Sequence, residues 1–256
     1  MIFYPLSTLM SAGIQEILVI TSPWDQALFQ KLLGDGSDFG VQLSYQVQEK
    51  ASGIAEALII GEDFLEGNSC GLILGDNLFF GAQLSVQLKA ASHLQSGAVV
   101  FVHEVANSSQ YGVAEFDQAG NVTNLCEKPS EPKSNFAVTG LYFYDGLASQ
   151  MAKALTPSTR GELEITDLNN AYLKRQQLKV EVLGRGTAWL DTGNPADMLE
   201  AGSFVKAIES RQGIMVGCPE EVGFIEGWIT EEQLKNRASK LGSTQYGKYL
   251  NRLASK

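Results

Sequence analysis

Histidine and cysteine are scarce in this sequence, and their scarcity removes several chemistries at once. Two histidines, His93 and His103, occur in 256 residues. His93 falls on an expected exposed helix face and His103 at a strand end, and neither has the partners that a triad or a zinc site requires. The three cysteines, Cys70, Cys126 and Cys218, are widely spaced and form no C-x-x-C pair, a pattern of reduced structural thiols rather than a disulfide framework. No apolar run approaches the roughly 18–20 residues that span a bilayer. Met1 to Pro5 carries no charged stretch ahead of its apolar residues, as a secretion signal would. A cytoplasmic protein without a membrane partner is therefore expected. Basic charge is also in deficit: 19 Lys and Arg against 29 Asp and Glu, a formal net charge of -10. Such a surface repels phosphate backbones, so nucleic acid is not an expected partner. A small anionic substrate remains compatible, because a few local cations and N–H groups can override the overall field.

The sequence does hold enough apolar residues, 44%, for one substantial core. Its first part alternates strand and helix patterns. Glu16–Thr21, Gln42–Val47, Cys70–Leu74 and Ala98–Val102 read as short buried strands. Between them, helices are expected after Ser22-Pro23-Trp24-Asp25, over Gly53–Gly61, and around Leu84–Leu94, with Ser22 as a cap and Pro23 in the first turn. This rhythm predicts an α/β, Rossmann-like, mostly parallel sheet flanked by helices. After His103 the pattern changes to a hairpin (Tyr111–Phe116 and Val122–Leu125 around a turn at Asp117–Asn121) and a long strand, Phe136–Tyr144. Ile165, Leu168, Tyr172 and Leu173 recur at helical spacing. Asn194 caps a further helix, and the tail from about Glu220 is charged and helical. Met1–Ala12 reads as the end of a helix stopped by Gly13, with no strand before it.

Four residues stand where α/β proteins do chemistry. Asp76 follows an apolar strand in Leu72-Ile-Leu-Gly-Asp-Asn77, at the sheet edge where ligands bind, and its hard carboxylate suits Mg²⁺; a turn or cap role fits equally well. Asp191 ends Ala188-Trp-Leu-Asp191 in the same way, and turn acids outnumber ligands. Spacing does not show that the two meet. Lys128, in Glu127-Lys-Pro129, and Arg160 could neutralise phosphate, or belong to solvated loops. The serines form no G-x-S-x-G elbow, Gly184-Arg-Gly186 is a turn, and Trp189 and Trp228 read as packing residues.

Several blocks then become recognisable. Tyr4–Met10, Gly75-Asp-Asn77, Glu127-Lys-Pro129, Lys133-Ser-Asn135, Val138–Asp145, Arg160–Asp167 and Trp189–Gly193 resemble, in order, successive blocks of the glucose-1-phosphate thymidylyltransferases, a branch of the sugar nucleotidyltransferases. The resemblance runs from Met1 nearly to Lys256. It implies transfer of a thymidylyl group from dTTP to glucose 1-phosphate, giving dTDP-glucose and pyrophosphate, the entry to dTDP-rhamnose and related deoxysugars. By the same resemblance, Asp76 and Asp191 hold Mg²⁺, and Lys128 and Arg160 lie near the sugar phosphate. Gly112, Glu127, Val138 and Gly140 form the glucose wall, with Asn77 and Tyr142 among the substrate-binding residues. Gln48 and Gly53 read the thymine edge. The resemblance divides the chain into a nucleotidyltransferase domain, 1–212, and a C-terminal helical extension, 213–256. Within the former, a nucleotide side covers about 1–105 and a sugar side, with the hairpin and mixed sheet, about 106–212. It also implies a homotetramer.

Two departures from the family pattern bear on function. The Pro- and Asp-containing loop after the base-reading glutamine is replaced by Glu49-Lys-Ala-Ser52, and a usual glutamine appears as Glu56. The family's Gly-rich loop, with its arginine and a following lysine, lies upstream of anything matching Met1. A missing central strand would forfeit on the order of 10 kcal/mol of burial, against a total stability of about 5–15 kcal/mol. These 256 residues alone are therefore expected to be inactive and poorly folded, with a mis-assigned start codon as the simplest explanation. The alternatives are a UTP-using or other sugar-1-phosphate enzyme, and a non-catalytic nucleotide-sugar binding or assembly homologue.

Overall fold

The alternation of apolar runs with amphipathic segments produces an α/β fold, seen here in a computed structural model that describes residues 1–255. The first part comprises α1 (Phe3–Ser11), β1 (Glu16–Thr21), α2 (Gln26–Leu33), β2 (Gln42–Val47), α3 (Glu56–Ile60) and α4 (Glu62–Leu65). There follow β3 (Cys70–Ile73), β4 (Asn77–Phe80), α5 (Leu84–Ser92), β5 (Ala98–Glu104), and the hairpin β6 (Gly112–Phe116) and β7 (Val122–Glu127). Next come β8 (Phe136–Tyr144), α6 (Ala148–Lys153), α7 (Ile165–Lys174), β9 (Leu178–Val182) and β10 (Ala188–Asp191). The chain closes with α8 (Pro195–Gln212), α9 (Pro219–Ile225), α10 (Glu231–Leu241) and α11 (Gln245–Leu253).

The spine of the main sheet is β8, buried along almost its whole length. One of its edges pairs with β5 from end to end; the other is shared by β3, at residues 141–144, and β6, at Ala137. All three pairings are antiparallel, as are β6 with β7 and β4 with β10. Among the described residues only β1 with β2 and β5 with β9 run parallel. The expected α/β class with flanking helices therefore stands, while the sheet is mixed rather than mostly parallel. The reason is physical: a strand covered on both faces is apolar throughout whichever way its neighbours run, so hydropathy reports burial and not direction.

Local chemistry explains the helix ends. Asn194 caps α8, its side chain accepting from the N–H groups of Ala196 and Asp197 at 3.0 Å each, and Thr230 forms a capping box with Gln233 on α10. Ser22 does not cap α2. Its hydroxyl instead donates to Asp25 at 2.7 Å, and the helix starts only at Gln26. The last three helices share a small core around Leu234 and Leu250. Buried Glu220 locks them together, accepting from Arg237 at 2.9 Å and from the Tyr246 hydroxyl at 2.5 Å.

Among the described residues the β1–β2 pair has no hydrogen-bonded strand contact with the main sheet. A cleft of about 660 Å³ lies between β1 and β3, lined by Ile17, Leu18 and Ile20 of the one and Gly71 and Ile73 of the other, with Leu9 of α1 and Leu58 of α3 also in its walls. The ladders fix which backbone groups face it. The carbonyls of Gln15 and Thr21 accept from Gln42 and Gln48 across the β1–β2 ladder, so Leu18 and Ile20 point their N–H groups the other way. Leu74 donates to Gly140, so Leu72 faces β8 while Gly71 and Ile73 face away. Amide hydrogen exchange should therefore alternate along both strands. Leu18, Ile20, Gly71 and Ile73 are expected to exchange at least tenfold faster than Val19 and Leu72; uniform protection would contradict the open edges.

Candidate active site

A two-strand ribbon assembles the acidic end of the site. Asp76 sits in the turn between β3 and β4, and Asp191 ends β10, directly opposite Asn77. Thr192 fastens the junction: its N–H and hydroxyl both donate to the Asp76 carbonyl, at 2.9 and 2.7 Å. Asn77, 2% exposed, spends its side chain on the same task. It donates to the Asp76 carboxylate at 2.8 Å and accepts from the Trp189 indole at 2.6 Å and the Gly140 N–H at 3.1 Å. Only glycine fits at position 140, because a Cβ there would lie 2.7 Å from Leu74 Cγ and 2.9 Å from Asn77 Cγ.

The two carboxylates converge. A Cβ on Gly193 would meet Asp191 Oδ1 at 3.1 Å and Asp76 Oδ2 at 3.5 Å, so both flank one point. Burial, joined by the Asp76 and Asp197 charges, raises the Asp191 pKa against the opposing effects of the Gly193 N–H and of Lys128. Among the described residues neither acid has an ion-pair partner within 4.0 Å, and no cluster of three or more His, Cys, Asp or Glu could hold a metal. Two converging, unpaired carboxylates fit a hard divalent cation that takes its remaining ligands from water and phosphate oxygens, as Mg²⁺ does.

Beside the acids lies a cavity of about 190 Å³ between β6, β8 and the start of α7. Its lining includes nine residues singled out from the sequence: Asn77, Gly112, Glu127, Lys128, Val138, Gly140, Tyr142, Arg160 and Asp191. Glu127 accepts from the Thr166 hydroxyl at 2.6 Å, and its other carboxylate oxygen faces Arg160 at 3.8 Å without a hydrogen bond. A Cβ on Gly112 would stand 3.5 Å from the Glu127 carboxylate, in the space the glycine leaves open. Lys128 adopts a left-handed backbone, φ 41, a conformation that costs a non-glycine residue about 1–3 kcal/mol and is concentrated at functional sites. Arg160 forks onto Glu164 at 2.9 and 3.0 Å, with Glu162 and Glu127 close behind. Burial, helped by the Glu127 and Asp76 charges, holds the Tyr142 hydroxyl well above its usual pKa.

Gln48 and Gly53 lie outside this cavity, on the segment joining β2 to α3, with Gln48 lining the larger cleft. That segment is held by Leu163, whose N–H donates to Ser52 at 2.7 Å and whose carbonyl accepts from Ala55 at 3.2 Å. The backbone passes so close that a Cβ on Gly53, φ 103, would sit 2.3 Å from the Leu163 carbonyl oxygen. Thr166, Tyr111 and Trp189 are among the lining residues to which the sequence reading gave no part in binding. Thr166 falls within the Arg160–Asp167 block, so its place was signalled. Trp189 packs, as expected, edge-on to Tyr111 with centroids 5.0 Å apart, but its bond to Asn77 also makes it a positioning residue.

The raised Asp191 pKa has a consequence for stability. A carboxyl held above its unfolded value binds protons more tightly in the folded state, so its ionised form disfavours folding above the usual carboxylate range, and the penalty fades as pH falls through it. Without metal, Asp191→Asn should raise the melting temperature at pH 7, and the gain should vanish near pH 3. A lower melting temperature at pH 7 would sink this view of the pair.

Comparison with known proteins agrees with this geometry. Residues 1–208 match the nucleotidyl transferase family model. The glucose-1-phosphate thymidylyltransferase of Xanthomonas campestris pv. campestris (strain B100) is 54% identical over 256 residues, covering 100% of this chain and 87% of the relative. That of Mycobacterium tuberculosis (strain ATCC 25618 / H37Rv) is 50% identical over 250 residues, 98% of this chain and 86% of the relative. Among solved structures, one described as a glucose-1-phosphate thymidylyltransferase from Bacillus anthracis in complex with a sucrose superposes with a TM-score of 0.73 at 37% identity, covering 79% of this chain and 81% of that one. A UDP-glucose pyrophosphorylase complexed with UDP-glucose, at 22% identity and a TM-score of 0.69 over 80% of this chain and 86% of its own, shares the fold. The chain therefore belongs to the nucleotidyl transferase family and, within it, to the glucose-1-phosphate thymidylyltransferases.

Proposed function

We propose that this site serves transfer of a thymidylyl group from dTTP to glucose 1-phosphate, giving dTDP-glucose and pyrophosphate, and that residues 1–256 on their own bind the nucleotide sugar without turnover, because the family's Gly-rich triphosphate loop has no match among them. The observation that supports this most is that Asp191 belongs both to the carboxylate pair and to the wall of the smaller cavity. Asp76 and Asp191 would hold Mg²⁺, which when bound supplies positive charge against the polyphosphate. Lys128 neutralises the sugar phosphate as a point charge, and Arg160 exchanges Glu164 for phosphate oxygens. Glu127, oriented by Thr166, accepts from sugar hydroxyls, with Gly112, Val138, Gly140 and Tyr142 shaping the wall. Gln48 and Gly53 receive the thymine.

A phosphate oxygen of the sugar attacks the α-phosphorus in line. That P–O bond forms as the bond to the bridging oxygen breaks, and pyrophosphate leaves with the electron pair. The attacking phosphate is already ionised, so no general base is required, and the absence of a histidine from the cavity costs nothing. The residues contribute alignment and charge neutralisation of two anions that would otherwise repel. We assign residues 1–105 to the nucleotide side, 106–212 to the sugar side and 213–256 to a helical extension. A cytoplasmic homotetramer completes the proposal; among the described residues no helix is long and apolar enough to cross a membrane.

Calorimetry with dTDP-glucose and Mg²⁺ tests the proposal. Saturable binding is expected, weakened at least tenfold, about 1.4 kcal/mol, by Lys128→Ala. Equal affinity in that variant, or no binding to the native chain, would overturn it. Tighter binding of UDP-glucose than of dTDP-glucose would transfer the assignment to a UTP-using enzyme.

A further inference from the structure

Gln48 is the base-reading residue in the function proposed above, and the inference here rests on that reading. An amide side chain can offer a base either its N–H donors or its carbonyl acceptor, and rotating it by half a turn exchanges the two. Which face is presented decides which base is accepted. In thymine the central ring nitrogen of the pairing edge, N3, carries a proton and donates; in cytosine the same atom is an acceptor.

The surroundings of Gln48 remove this ambiguity. Its Nε2 lies 2.7 Å from Glu56 Oε2 and 3.1 Å from the Gly53 carbonyl. A carboxylate and a backbone carbonyl both only accept. The amide must therefore turn its nitrogen toward them, and both of its N–H bonds are consumed. The opposite rotamer would press the Gln48 oxygen against two acceptors. No donor among the described residues reaches Gln48 Oε1, so the carbonyl is the polar atom left for a ligand. Gly53 contributes by position, since its backbone is clamped to Leu163. Glu56 contributes by chemistry. A glutamine at 56 could donate as readily as accept, and so would tolerate either orientation of Gln48.

We propose that Glu56 is a positioning residue for base selection: it locks the Gln48 amide with its oxygen outward, so that the site accepts a base whose central ring nitrogen donates and rejects one whose nitrogen accepts. The carboxylate at position 56 thus sharpens the preference for thymine over cytosine nucleotides beyond what a glutamine there would give. Glu56 need not touch the base.

Two measurements on the full chain test this separately from the function itself. In the ligand-free protein, the two Gln48 side-chain amide protons should be resolved by NMR, shifted downfield and slow to exchange, with a cross-peak to the Glu56 side chain. Averaged, solvent-like amide signals would overturn the lock whatever the protein binds. Calorimetry should then show native chain binding dTDP-glucose at least a hundredfold more tightly than dCDP-glucose, and Glu56→Gln should reduce that ratio about tenfold, chiefly by improving the cytosine nucleotide. A merely structural role would weaken both ligands equally. An unchanged ratio in Glu56→Gln would overturn the positioning role while leaving the thymidylyltransferase proposal standing. Failure of the native chain to prefer the thymine nucleotide would overturn the base-reading assignment of Gln48 and this inference with it.

Discussion

The site depends on one short antiparallel pairing, β10 against β4. It brings together two acids that are far apart in the chain, held by bonds from the backbone and from neutral side chains. Thr192 holds the Asp76 backbone, Trp189 holds Asn77, and Asn77 in turn holds the Asp76 carboxylate and the Gly140 N–H. Backbone and neutral side chains thus bear the cost of setting two like charges side by side. Left to themselves the carboxylates would separate or share a proton; the raised pKa of Asp191 comes first from burial, and the Asp76 charge adds to it. A site that is electrostatically uncomfortable when empty is well disposed to a cation.

The same division between rigid support and available charge recurs around the smaller cavity. Thr166 ties one oxygen of Glu127 and leaves the other facing Arg160. Glu164, only 12% exposed and also bonded by Ser158, parks the Arg160 guanidinium, which is 46% exposed; a phosphate can reach Arg160 from solvent while Ser158 keeps its bond to Glu164. Lys128 has a strained backbone and an exposed side chain, and its charge still acts on Asp191. On the base side, Glu56 does for Gln48 what Asn77 does for Asp76: it uses up the interactions that would let the functional group turn.

Much of this was legible in the sequence, for identifiable reasons. β8 spans Phe136–Tyr144, the bounds expected of it from the sequence, and Asn194 caps α8 as its position before Pro195 suggested. Asp76 could be placed at a strand end because an apolar run stops one residue before Gly75. Pairing direction could not be read, since buried strands look alike in either sense. The contact between Asp76 and Asp191 spans more than a hundred positions, and β4 and β10 are each only four residues long, too short for periodicity to register. Ser22 misled because a hydroxyl that can cap a helix can equally bond the next acid. Glu56 registered as a departure from the family pattern, but its meaning lay in a bond across eight positions between a loop and a helix, which composition cannot show.

The central claim is that Asp76 and Asp191 act as one divalent-cation site joined to a sugar-phosphate cavity. Electron paramagnetic resonance with Mn²⁺ as a substitute for Mg²⁺ tests it most directly. In the presence of dTDP-glucose the native chain should immobilise a single tightly bound Mn²⁺, and Asp76→Asn and Asp191→Asn should each release it. Mn²⁺ bound with undiminished affinity in both variants would contradict the account.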